Sequence, residues 1–231
     1  MREVMLVHGA PGNAAGWGPM AELLAASARV SALNLRDVGR DEPDVTLEDI
    51  IADVAARIAA ARAPVVLVGH SFGAWVAGQA AARAPERVER LFLMEGISAV
   101  TPPMAEGFLG LAGVLESGQF GLDALVGMAA PNWLDPDRPD PKLLDAIRAL
   151  FVAEPPPRIA RALRRGAGAV AHVPAAGIPA RVLCCEGDRA APVAFSRELA
   201  TRLGAELSVI PGANHFPHWY DPADIAQRIL A

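Results

Sequence analysis

The segment Gly69-His70-Ser71-Phe72-Gly73 follows the apolar run Val65 to Val68 and leads into a helical stretch from Ala74 to Arg83. A serine set between two glycines at a strand-to-helix junction can occupy a strained turn with its hydroxyl projecting from the sheet. The helix start behind it favours developing negative charge. Ser71 is therefore the candidate nucleophile. A serine hydroxyl is a weak nucleophile by itself and needs a histidine base, itself oriented by a carboxylate. Of the five histidines, His215 lies in Pro211-Gly212-Ala213-Asn214-His215-Phe216-Pro217, a turn that follows the strand-like run Glu206 to Ile210. That context puts it at a strand's C-terminal end. His70 sits inside the serine turn, His172 in a stretch without strands, and His8 reads as a structural residue holding the first loop. His218, three residues past the turn, reads as a capping or packing residue. For the carboxylate, Asp188 follows the strand-like Arg181 to Cys185 in an acidic turn 27 residues before His215, room for one crossover helix and one strand. Acyl transfer also needs donors for an oxyanion. The Gly/Pro turn Val7-His8-Gly9-Ala10-Pro11-Gly12 can bring the Ala10 N–H beside that of Phe72.

These residues fall at the ends of elements that the sequence pattern also supplies. Strands are predicted over Glu3 to Val7, Arg29 to Asn34, Val65 to Val68, Val88 to Met94, Arg181 to Cys185 and Glu206 to Ile210. Helical patterns alternate with them, which predicts an α/β fold on a mostly parallel sheet of about six strands with flanking helices. The clearest helix runs from Thr46 to about Ala61. Leu47, Ile50, Ile51, Val54 and Ile58 recur at helical spacing, Thr46 and Asp49 make a capping box, and Pro64 stops it. Between Ser98 and Ile178 the alternation fails, and prolines crowd the segment, ending each helical piece. Residues 98–178 are thus expected to form a helical cap inserted into a core made of residues 1–97 and 179–231. The cap supplies Met104, Phe108, Phe120, Met128, Trp133 and Phe151. Most are expected in its own core, with Met104, Phe108 and Trp133 as candidates for an apolar substrate pocket.

Composition narrows the partners. In 231 residues, 52% are apolar and 20% charged, enough to bury a core, and the net charge of −5 comes without a Lys/Arg block. A nucleic-acid backbone and an anionic membrane are both disfavoured, which favours a small-molecule or protein partner, with a small-molecule substrate the first expectation. Cys184 and Cys185 are adjacent and point to opposite faces of a strand, poorly placed to bridge each other or to bind zinc, and they read as buried strand residues in a reducing compartment. With no signal-peptide layout and no apolar run of about 18–20 residues, the expected location is cytoplasmic.

Together, His8-Gly9, the segment from Ala32 to Arg40, the Gly69 to Gly73 turn, Asp188 with Pro192, and Gly212 to His215 followed by Pro222 resemble the α/β-hydrolase fold superfamily, in its small, capped, esterase-like branch. The sequence departs from the family in opening at what would be its third strand, so the usual N-terminal hairpin is expected to be missing or trimmed. The resemblance implies a hydrolase with no metal and no cofactor, with Ser71 attacking, His215 as base, Asp188 orienting it, and Ala10 and Phe72 forming the oxyanion hole. Serine at the turn disfavours the branches that use an aspartate nucleophile. Some members place the acid one strand earlier, which makes Glu95, after the strand Val88 to Met94, the alternative acid. Hydrolysis of a carboxylic ester on a modest-sized, largely uncharged substrate is the first reading. Thioester or carbon–carbon bond hydrolysis stays open beside it, as does a receptor-like protein that binds in the pocket with little turnover.

Overall fold

The computed structural model describes residues 1–36, 44–119, 121–135, 139–152, 154–169, 177–212 and 214–231. Its strands are β1 (Glu3–Val7), β2 (Arg29–Leu33), β3 (Val65–His70), β4 (Val88–Met94), β5 (Ala180–Cys185) and β6 (Glu206–Ile210). They form one sheet in the order β2-β1-β3-β4-β5-β6, and every neighbouring pair is parallel. The helices are α1 (Gly18–Ala25), α2 (Leu47–Ala59), α3 (Phe72–Ala81), α4 (Pro102–Ser117), α5 (Leu122–Trp133), α6 (Pro141–Val152), α7 (Pro156–Ala167), α8 (Val193–Leu203), α9 (Pro217–Tyr220) and α10 (Pro222–Leu230).

β1 and β3 are buried along their whole length, and the alternation of their side chains builds two cores. Val7, Val65, Leu67, Leu91 and Leu93 face α2, α3 and α8 on one side of the sheet. Val4, Leu6, Val66, Val68, Phe92 and Met94 face α1 and α10 on the other. α2 shows how the sequence makes its element. Thr46 Oγ1 accepts from the Asp49 N–H at 3.1 Å while Asp49 Oδ2 accepts from the Thr46 N–H at 3.0 Å, and Ile50, Ile51, Val54 and Ile58 are buried on one face.

The chain steps from β1 outward to β2, then crosses back over β1 to β3 and continues to β6. The reversal falls between β1 and β3, and the C-terminal ends of strands flanking such a reversal are where ligands bind in open α/β sheets. Residues 8–12 leave β1 at that point and Ser71 leaves β3. Between β4 and β5 lie α4 to α7, in two packed pairs: α4 with α7 around Ala112, Leu115, Ile159 and Leu163, and α5 with α6 around Val126, Leu143 and Ile147. The prolines here differ in part from the expectation that they end helical pieces. Pro102, Pro141 and Pro156 start helices, where the missing N–H is no loss, and Pro131 sits within the last turn of α5. Among the described residues no helix is long and apolar enough to cross a membrane.

Candidate active site

Ser71 has φ 54° and ψ −123°, between the last residue of β3 and the first of α3. The glycines around it permit the packing that this turn requires. A Cβ on Gly69 would lie 2.6 Å from the Ala74 Cα, and one on Gly73 would run into the carbonyl oxygens of Val7 and His8. Helix α3 starts two residues earlier than the apolar pattern predicts, because the turn ends at Ser71 itself and Phe72 is already helical. The loop after β1 lies against the serine, so close that a Cβ on Gly9 would come within 3.0 Å of Ser71 Cβ. His8 fixes this loop. Its Nδ1–H donates to the Gly9 carbonyl at 2.8 Å and its Nε2 accepts from the Leu35 N–H at 3.2 Å, a pattern that requires a neutral ring.

His215 donates from Nδ1 to Asp188 Oδ2 at 2.7 Å, with the two side chains 8% and 0% exposed. The other carboxylate oxygen accepts from the N–H groups of Ala190 and Ala191 at 2.7 and 2.9 Å. Burial works to raise the pKa of Asp188. The charge and hydrogen bond of His215, helped by the Ala191 N–H, more than reverse it and hold the carboxyl below its ordinary range. The bond uses Nδ1 and not Nε2, and His215 lines common cavities with Ser71.

His70 makes a contact that sequence spacing gives no sign of. Its Nε2–H donates to the His215 carbonyl at 2.6 Å, and its ring lies 4.9 Å from that of His215. Burial first, then the neighbouring rings of His218 and His215, push its pKa well below the ordinary value, so it stays neutral. His218 is also buried and neutral, pushed down to about 3 mainly by burial, with its Nε2–H on the Gly16 carbonyl at 3.1 Å and Trp17 5.1 Å away.

Glu95, directly after β4, is fully buried with φ 48°. Neither of its carboxyl oxygens has a hydrogen bond of normal geometry. Burial first, then the adjacent Asp188, push its pKa well above the usual range. It is a neutral acid beside an ionised one, and Asp188, not Glu95, bonds His215. Cys184 and Cys185 are free thiols buried on β5, the first with its pKa pushed up to about 11 by burial. Among the described residues no group of three or more His, Cys, Asp or Glu side chains could hold a metal ion.

Ala10, Ser71, Phe72 and His215 border an apolar cavity of about 350 Å³, to which Met104, Phe108 and Trp133 also contribute. Phe120, His172, Ala213, residues 37–40 and the side chains of Met128 and Phe151 lie outside what the structure describes.

A model of the Alpha/beta hydrolase family matches residues 4–228. The chain belongs to that family. No curated protein matches it in sequence. Among solved structures, this alpha/beta hydrolase is similar to a thermophilic esterase from Thermogutta terrifontis, with 25% identity and a TM-score of 0.88 over 100% of this chain and 88% of the other. It is similar in fold to an enol-lactonase from Burkholderia xenovorans LB400, with 23% identity and a TM-score of 0.87 over 99% and 90% of the two chains. A hydrolase from Pseudomonas aeruginosa PA01 shares the fold at 20% identity and a TM-score of 0.83, over 99% and 88%. The shared alpha/beta hydrolase fold is the six-stranded parallel sheet with its flanking helices.

Proposed function

We propose that the protein is a serine hydrolase that cleaves carboxylic esters of modest-sized, largely uncharged substrates through an acyl-enzyme. The observation that carries this reading is the 2.7 Å bond from His215 Nδ1 to a buried, ionised Asp188, made on the wall of the cavity that Ser71 enters from a strained turn. Ser71 Oγ attacks the ester carbonyl carbon while His215 Nε2 takes its proton. Asp188 fixes the imidazole tautomer and stabilises the imidazolium. The N–H groups of Ala10 and Phe72 receive the developing oxyanion, the second with the start of α3 behind it. Collapse breaks the bond to the alcohol, which takes the proton back from His215 Nε2. Water, activated by the same histidine, then releases the acid. Helices α4 to α7 act as a cap, and α4, α5 and α7 provide the apolar wall, through Met104, Phe108 and Trp133 among others.

The similarity to the Thermogutta terrifontis esterase supports the ester as the bond cleaved. Free thiols side by side on β5 suit a reducing, cytoplasmic compartment. The test is reaction with a fluorophosphonate followed by peptide mass spectrometry. Stoichiometric labelling of Ser71 is expected. A folded protein that fails to label is not a serine hydrolase, and a receptor-like role would take its place.

A further inference from the structure

Two cavities meet at Ser71, and they are very unequal. The one beneath α4, α5 and α7 measures about 350 Å³ and is walled by Met104, Phe108, Leu111, Leu115, Val126 and Leu163. The other, on the side of the turn that carries His215, measures about 50 Å³ and is walled by Asn13, Trp17, His70, Phe216 and His218 along with others. Ala10, Ser71, Trp133 and His215 border both. Phe72, one of the two oxyanion donors in the mechanism above, borders only the larger.

A tetrahedral carbon on Ser71 has four branches. One is the serine oxygen and one is the oxyanion, so two branches remain for two chambers. The leaving oxygen must receive its proton from His215 and therefore lies on the His215 side. The small chamber is built there, from the ring neighbours of His215: Phe216 at 5.3 Å and His70 at 4.9 Å, with His218 behind. The acyl branch is left with the large chamber. At roughly 10–15 Å³ for each water-sized occupant, the small chamber holds a group of only a few heavy atoms. It presents the rings of Trp17, His70, Phe216 and His218 and the amide of Asn13, and among the described residues no Asp, Glu, Lys or Arg lines it.

We propose, resting on the serine-hydrolase reading, that the site selects esters of a medium-length apolar acyl group with a short uncharged alcohol, and that Trp133 on the seam limits the size of the alcohol. Trp133 is suited to that task because its ring meets Phe216 edge-on at 6.3 Å and 90°, on the boundary between the two spaces.

Methyl octanoate and heptyl acetate test this directly. They are constitutional isomers of similar hydrophobicity, and they exchange which side of the carbonyl is long. The intact enzyme is expected to favour methyl octanoate in kcat/KM by about tenfold or more, the scale on which a few misplaced methylenes discriminate. Trp133→Ala is expected to reduce that preference at least about fivefold by opening the small chamber. Because Trp133→Ala could impair folding, Ala129→Phe serves as a second variant. Ala129 lines only the large cavity, so this change is expected to slow methyl octanoate relative to methyl butanoate. Parity of the two isomers, or preference for heptyl acetate, overturns the assignment of the chambers. Labelling of Ser71 by a fluorophosphonate with neither ester cleaved overturns the substrate class alone. If Ser71 does not label, the serine-hydrolase reading fails and this proposal with it.

Discussion

Asp188 and Glu95 are neighbouring carboxyl groups driven in opposite directions by what surrounds them. Asp188 has His215 and two backbone N–H groups to stabilise its charge, whereas Glu95 has burial and the Asp188 charge against it. Replacement by the amide separates their roles. Asp188→Asn is expected to lower kcat by up to ~10⁴, because it disturbs the histidine tautomer and removes the charge that stabilises the imidazolium. Glu95→Gln, which exchanges one neutral group for another, is expected to stay within about tenfold of wild type in the same steady-state assay. Glu95 also makes a claim about pH. Its folded pKa lies above the unfolded value near 4.5, so its favourable contribution is complete below that pH and is lost as pH rises towards the folded pKa. Glu95→Gln cannot ionise. The melting temperature of the variant minus that of wild type is therefore expected to grow between pH 5 and pH 8, and a constant difference would mean that Glu95 is ionised in the fold. At this scale, residue types and strand-end context point to Ser71, Asp188 and His215; in the structure Ser71 and His215 line one cavity, and His215 is bonded to Asp188 behind it. The hydrogen bond from His70 to the His215 carbonyl was not legible, because it joins residues 145 apart and follows no local spacing.

The elements divide in the same way. All six strands can be read from short apolar runs bounded by turn residues, and α2 from its capping box and its buried stripe. The start of α3 was missed by two residues, since Phe72 belongs to the turn by pattern and to the helix by geometry. Less legible still was the tie between α7 and the loop after β1. Arg158, buried on α7, pairs with Glu154 and donates to the Pro11 carbonyl at 3.0 Å, across 147 residues of chain. The pair is 5% and 7% exposed, so removal of one partner strands a charge in a low dielectric. Arg158→Met is expected to lower the unfolding free energy in urea by about 3–5 kcal/mol. The double variant Arg158→Met with Glu154→Leu is expected to recover most of that loss. Equal losses in the single and double variants would show that the arginine acts through packing and its backbone contacts instead of through the charge pair.

For the whole molecule, the arrangement follows from one topological fact and one run of helices between β4 and β5. The reversal of strand order between β1 and β3 brings the loop bearing Ala10 beside the turn bearing Ser71. The chain between β4 and β5 adds α4 to α7; apolar side chains of α4, α5 and α7 wall the larger cavity, and Ile147 and Leu150 of α6 line the smaller one. Composition is enough to predict a buried core, but a cavity is empty space between side chains from distant segments, and no periodicity encodes its volume. The central claim is that Ser71 is the nucleophile of this site, and turnover by Ser71→Ala tests it most directly. With folding checked by a melting temperature close to wild type, the variant is expected to hydrolyse p-nitrophenyl acetate on the order of 10⁴-fold more slowly or worse, at the level left by binding and oxyanion donors alone. A rate within about tenfold of wild type would contradict the account, because it would place the chemistry on another group.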